Sequence, residues 1–211
     1  MKKSATRIIE GCIILAGFML FAFFIHRENF LRILAYVFLF ISTFGIYYTS
    51  RNFDLLKIIG LSGGTKGFPV YLPLAVCVGC GLAIAVRHNF DMRLLPRRFT
   101  YVALLAPIIG IMEELVFRGY LQGHFRPNGR LFSMIVATAG HTIYKYIVIA
   151  ALPEPVVFNF RFLILWTFLG GFLFSILREL SRSIYPSALA HACFDIMLYG
   201  AFASLPVWTW H

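Results

Sequence analysis

Seven apolar blocks, 16 to 24 residues long and separated by short polar gaps, make up most of the chain. A bilayer core of roughly 30 Å is crossed by about 20 apolar residues of helix. Inside lipid every backbone N–H and C=O must be satisfied within the protein, so blocks of this length read as spanning helices. The expected spans are Ile8–Ile25, Phe30–Thr49, Phe68–Val86, Phe99–Phe117, Leu131–Leu152, Phe162–Leu177 and Ile184–Val207. Composition agrees, with 60% hydrophobic and 13% charged residues, where a soluble domain has about half and a quarter. The expected fold class is all-α, a polytopic transmembrane helix bundle of about seven spans.

The net charge is +10, from 19 Lys and Arg against 9 Asp and Glu. In a soluble chain that balance would suggest nucleic acid. Here the basic residues lie mainly in the gaps, where they anchor spans and set topology. The expected partner is therefore the lipid bilayer and not nucleic acid. With the N-terminus cytoplasmic, the inner segments hold eleven basic residues and the outer ones eight. This favours a multi-pass protein of a prokaryotic cell membrane with its N-terminus inside, although the gap "RHNFDMRLLPRR" puts four arginines on the outer side.

The start of the chain has the basic front and apolar run of a signal peptide. Glu10 interrupts the run and no clear small-x-small cleavage site follows, so it reads as a retained first helix. Cys12, Cys77, Cys80 and Cys193 all lie within apolar blocks and read as small buried hydrophobes. The CxxC at Cys77 and Cys80 has no second pair or nearby His to make a zinc site. The longest gap, "SRNFDLLKIIGLSGGTKG", lacks the spacing of a phosphate loop and reads as a flexible connection. The sixth span is short, and Gly170 and Gly171 suit close approach by a neighbour.

The ionisable residues inside the spans carry the functional signal. An Asp, Lys or Arg near the bilayer centre costs about 2.5–3.5 kcal/mol on an insertion scale, and such residues mark sites that face a bundle interior or a water-filled cavity. The fourth span holds Glu113 and Glu114, with Arg118 four residues after Glu114 and able to pair with it. The fifth holds His141. The seventh holds His191 and Asp195, again four apart on one face. Taken singly, each has a bland reading as a clamp or a packing residue. Three spans each offering such groups point to one shared site. Lys145, four after His141, reads as a snorkelling anchor. His26, His88, His124 and His211 fall in gaps or at the terminus and read as solvated.

Three pieces of sequence resemble a known family. "EELVFR" is similar to the EExxxR motif of the CPBP family, the CAAX-protease and bacteriocin-processing group of intramembrane glutamic proteases. "TAGHTIYK" supplies that family's middle histidine, and "HACFD" resembles its later HxxxN/D motif. The likeness covers about Phe99 to Ser204. It implies two parts: residues 1–98 with N-terminal transmembrane helices outside the family core, and residues 99–207 with a four-helix catalytic core. Two positions depart from the pattern. Residue 137 is Ala where the family has Phe four before its histidine, and Asp195 stands where Asn is common.

The resemblance implies an endopeptidase that hydrolyses a peptide bond of a membrane-associated protein or peptide, without a covalent intermediate. Glu113 would be the general base and His141 would help to hold the water, with Glu114 and Arg118 orienting the helix end. His191 and Asp195 match the positions assigned to the developing oxyanion. A deprotonated Asp195 cannot donate, so it would orient His191 or be held protonated by burial. Cys193 is two residues from His191 and points away from it, which argues against a thiol nucleophile. No cofactor is expected. Zinc held by Glu, His and Asp is the alternative, without the helix-borne HExxH of zinc proteases. A non-enzymatic proton-coupled transporter or immunity scaffold is the other class, against which the chain has no repeated halves. A prenylated tail, a bacteriocin leader and the sorting helix of a surface protein all fit as substrate.

Overall fold

The computed structural model of the chain describes residues 2–28, 30–51, 54–63, 67–153 and 159–206. Among these residues all regular secondary structure is helical. The helices are α1 (Lys2–Phe24), α2 (Phe30–Ser50), the short α3 (Leu55–Ile59), α4 (Phe68–Asn89) and α5 (Val102–Glu114). A π-helical stretch (Leu115–Leu121) continues α5 into α6 (Gln122–Phe125) and a 3-10 turn at Arg126–Asn128. Then come α7 (Arg130–Ala150), α8 (Phe160–Ser181) and α9 (Ile184–Tyr199). Five helices, α1, α2, α4, α7 and α8, are each long and apolar enough to cross a bilayer.

The bundle is organised around α9, which packs along α4, α5 and α8, while α1 pairs with α2 and rests on α7. Its polarity is inverted relative to a soluble protein. On α2, Phe30, Ile33, Tyr36, Phe40, Phe44 and Tyr47 all face outward, and Phe40 is 71% exposed. Contiguous apolar surface of this kind is costly in water and at ease in lipid. Inside, Glu113, Glu114 and Arg118 are buried. The protein is an integral membrane helix bundle.

Several expected boundaries shift, for local reasons. The fourth helix begins at Val102, not Phe99, and runs past Phe117 to Phe125. The polar run after Phe117 reads as a gap, but its side chains are sheltered. Gln122 Nε2 donates to the Ser175 carbonyl at 3.1 Å, and His124 Nε2 lies 3.0 Å from the Arg7 carbonyl. His124 is thus buried and not solvated, as is His26. The sixth helix is not short: Asn159 caps it by accepting from the Phe162 N–H at 3.2 Å, and it continues to Ser181.

The seventh stops at Tyr199. Beyond it the chain turns back on the start of α5, where Thr100 N–H donates to the Gly200 carbonyl at 2.7 Å and Thr100 Oγ1 donates to the Phe202 carbonyl at 2.6 Å. Val207, the expected end, and His211 lie outside the described residues.

The long gap, read as a flexible connection, contains the short helix α3. Asp54 caps α3, Gly60 closes it with a φ of 86°, and the Gly60 carbonyl accepts from the Ile184 N–H at 3.1 Å. Its residues 52, 53 and 64–66 lie outside the described set. Of the four arginines in "RHNFDMRLLPRR", Arg87 is buried and donates to the Met197 and Leu198 carbonyls, each at 3.1 Å. It satisfies the last carbonyls of α9, so it acts as a helix cap and not as a topological charge. The cysteines are free; Cys12 and Cys77 are exposed and Cys80 and Cys193 half-buried, so the thiols are not core residues.

Candidate active site

Glu113 and Glu114 close α5 just where the helix widens into its π-helical stretch, a local irregularity common at functional sites. Successive residues on a helix point about 100° apart, so the two carboxylates meet different partners. Glu113 Oε1 is paired with Lys145 Nζ at 2.6 Å. Its Oε2 is bonded to His141 Nε2 at 3.2 Å and lies 4.0 Å from His191 Nε2. Glu114 Oε1 is bonded to Arg118 Nη1 at 2.9 Å and to His191 Nδ1 at 3.0 Å.

These contacts settle the histidine tautomers by donor logic. Arg118 Nη1 lies 3.0 Å from His141 Nδ1. A guanidinium only donates, so His141 Nδ1 accepts and its Nε2–H donates to Glu113. A carboxylate only accepts, so His191 Nδ1–H donates to Glu114. His191 Nε2 is then left facing Glu113 at 4.0 Å and Asp195 Oδ2 at 3.8 Å. Both distances exceed a hydrogen bond, so the stacked His191 and Asp195 do not share the direct bond their spacing suggests. Both are the span of a bridging water.

Two glycines make room for this cluster. A Cβ on Gly110 of α5 would collide with Asp195 Oδ2 and the His191 ring, and one on Gly171 of α8 would collide with Arg118 Nη2. The close approach expected at the glycine pair therefore serves a guanidinium. Phe117 and Phe174 wall the imidazoles, with ring centroids 4.8 Å from His141 and 5.2 Å from His191.

Glu113, His141, Lys145, His191 and Asp195 line one cavity of about 390 Å³. The rest of its wall is mainly apolar, including Leu82, Val86, Trp166 and Phe194, and it extends to Phe90, Phe162 and Tyr199 at one end of the bundle. Arg118 and Glu114 sit behind it, both fully buried.

Lys145 departs from its expected role as a snorkelling anchor and turns inward onto Glu113. The sequence signal was there, since Lys145 is one helical turn from His141. The bond from Glu114 to His191 and that from Arg118 to His141 join different helices, and no local spacing announces them.

A zinc ion is poorly served here. Oε1 of Glu113 and Oε1 of Glu114 are each tied to a fixed cation, and His141 Nδ1 is taken by a third N–H. Among the described residues no three His, Cys, Asp or Glu side chains converge as a metal would need.

No curated protein and no solved structure matches the chain. The model of the Rce1-like family, described as type II CAAX prenyl endopeptidase Rce1-like, matches residues 96–197. That segment holds every residue of the cluster, and it is similar to the Rce1-like, CAAX-protease-type family of membrane peptidases.

Proposed function

We propose that the protein is a glutamate-dependent intramembrane endopeptidase, in which Glu113 activates a water for attack on a peptide bond of a membrane-associated substrate. The observation that carries this reading is the spacing around Glu113 Oε2, bonded to His141 at 3.2 Å and 4.0 Å from His191 Nε2 within an apolar-walled cavity. A water bridging Glu113 and His191 would lie beside any carbonyl entering from the cavity.

In the proposed reaction the Glu113 carboxylate takes a proton from that water as its oxygen adds to the carbonyl carbon. Charge develops on the carbonyl oxygen near His191 and Asp195, each of which stabilises it only as a donor, His191 as the imidazolium with both ring N–H groups or Asp195 as the neutral acid. The protonated Glu113 then returns the proton to the leaving amine as the C–N bond breaks, which restores the starting state. His141 holds Glu113 in one orientation, and Arg118 holds His141. Glu114 fixes the tautomer of His191, a different task from orienting the helix end. The cavity's apolar walls suit a substrate whose apolar flank lies against Leu82, Trp166 and Phe194, as in a lipidated tail, a leader peptide or a sorting helix. The N-terminus is assigned to the cytoplasmic side on the bias of basic residues.

The test compares peptide termini, by mass spectrometry, in membranes with and without the protein. New termini that depend on Glu113 and persist under strong chelation are expected. Activity that chelation abolishes and zinc restores would overturn the metal-free mechanism. Asp195 is a second test. Asparagine keeps the size and one carbonyl acceptor and adds an amide donor, so Asp195→Asn should retain substantial cleavage. Asp195→Leu should lose about 10²–10³-fold, as when one oxyanion donor is removed. An active leucine variant, measured at matched membrane levels, would remove Asp195 from the mechanism.

A further inference from the structure

A second recess lies at the other end of the bundle from the cavity's Phe162 end. It has a volume of about 410 Å³ and is lined by Lys57, Arg126, Arg178 and Arg182, with Glu179 as its one carboxylate. Phe162 and Arg178 are 16 residues apart on α8, a separation of about 24 Å along the axis. Arg178 is one helical turn beyond Phe174, which walls His191, and the recess shares no lining residue with the cavity. It sits where α8 ends and α9 begins, at the level where a spanning helix meets the headgroups.

The basic side chains are not all neutralised within the protein. Arg126 is held by Glu179 through contacts of 3.0 and 2.9 Å, and Arg130 reaches the same carboxylate at 3.3 Å. One carboxylate thus serves two arginines, and Lys57 is paired with Asp54 at 3.6 Å on the exposed side of α3, so the unmatched cations are arginines. Arg178 is 93% buried, at 7% exposure, and spends Nη2 on the Ile58 carbonyl at 3.1 Å. Its buried Nε has no hydrogen-bond partner among the described residues. A Cβ on Gly60 would strike the guanidinium, so the backbone is shaped to admit it. Arg182 holds a left-handed backbone at φ 55°, a conformation uncommon for a residue with a Cβ, and stays exposed at the rim. A buried, half-satisfied arginine facing a recess with excess positive charge calls for an anion with several acceptor oxygens.

We propose that this recess binds a phosphate group, supplied by the headgroup of an anionic phospholipid. Basic pockets between spanning helices bind such headgroups, and the phosphate oxygens match the guanidinium donors. The phosphate would complete the bonding of Arg178 and tie α3 to the end of α8. Such a ligand binds the folded state alone and so stabilises it.

The full-length protein is reconstituted in nanodiscs of phosphatidylglycerol or of phosphatidylcholine, and retained lipid is read by native mass spectrometry. Phosphatidylglycerol should be retained and phosphatidylcholine should not. Arg178→Gln, and separately Lys57→Gln with Arg182→Asn, should each reduce retention roughly tenfold. The second variant leaves the buried arginine in place, and asparagine accepts the left-handed backbone, so it tests the site even if Arg178→Gln fails to fold. Inorganic phosphate added to the phosphatidylcholine discs separates the sources. No thermal protection by phosphate assigns the recess to lipid. Protection equal to that by phosphatidylglycerol would keep the phosphate chemistry and assign a soluble donor. Equal retention of both lipids, or retention unchanged in both variants, would overturn the proposal.

Discussion

Glu113→Gln should leave a folded, inserted protein that cleaves about 10²–10⁴-fold more slowly, the usual contribution of a positioned general base. The amide preserves the shape of the side chain. Its carbonyl can still accept from His141 Nε2–H, now at 3.2 Å from the carboxylate, and its other oxygen is replaced by a group facing Lys145. What disappears is the group that takes the proton. The loss should therefore appear in kcat, with thermal unfolding changed far less than activity. Glu114→Gln should behave differently. Its carbonyl can still accept from His191 Nδ1–H while it loses the charge facing Arg118, so the defect falls on positioning and stability. A Glu113→Gln variant as active as the parent would remove Glu113 as the base whatever its place in the cavity.

The sequence made this residue conspicuous because the cost of a carboxylate in lipid is paid one residue at a time. Glu113, Glu114, His141, His191 and Asp195 stood out for that reason, and their spacing of four residues gave the pairs within a helix. The pairs between helices were not legible. Which imidazole meets which carboxylate depends on how α5, α7 and α9 are rotated against one another, and rotation is set by packing details such as the missing Cβ of Gly110. Lys145 shows the limit well. Its spacing from His141 put it on the right face, but an ammonium on a long stem can run outward to the interface or inward to a buried carboxylate, and the local sequence is the same in both cases. The π-helical stretch and α3 were hidden for another reason. Arg118 in the stretch, Gln122 just after it and Asp54 at the cap of α3 look like the end of a span until a partner is visible. The spans themselves were readable because a bilayer imposes length and apolarity, whereas their ends depend on single caps such as Asn159 and Thr100.

Arg118→Leu should be the most damaging substitution for stability. Arg118 is fully buried and one of its nitrogens, Nη1, donates to both Glu114 Oε1 at 2.9 Å and His141 Nδ1 at 3.0 Å. Leucine fills much of the space under Gly171 but supplies neither bond, which leaves the Glu114 carboxylate buried without its cation. Breaking a buried ion pair in this one-sided way costs about 3–5 kcal/mol. In a chain of this size that corresponds to a fall in Tm of roughly 10 °C, measured by thermal unfolding in detergent. The origin of the loss can be separated from simple cavity formation. Adding Glu114→Gln to Arg118→Leu removes the stranded charge, keeps a carbonyl for His191 Nδ1–H, and should recover part of the stability as a coupling between the two sites. Activity should not return with it, because His141 Nδ1 still lacks the donor that fixes its tautomer, and Nε2–H would no longer be held toward Glu113. A single variant that unfolds within a degree of the parent would show that the buried pair adds nothing to stability. A double variant no more stable than the single one would place the damage in packing and not in the unpaired charge.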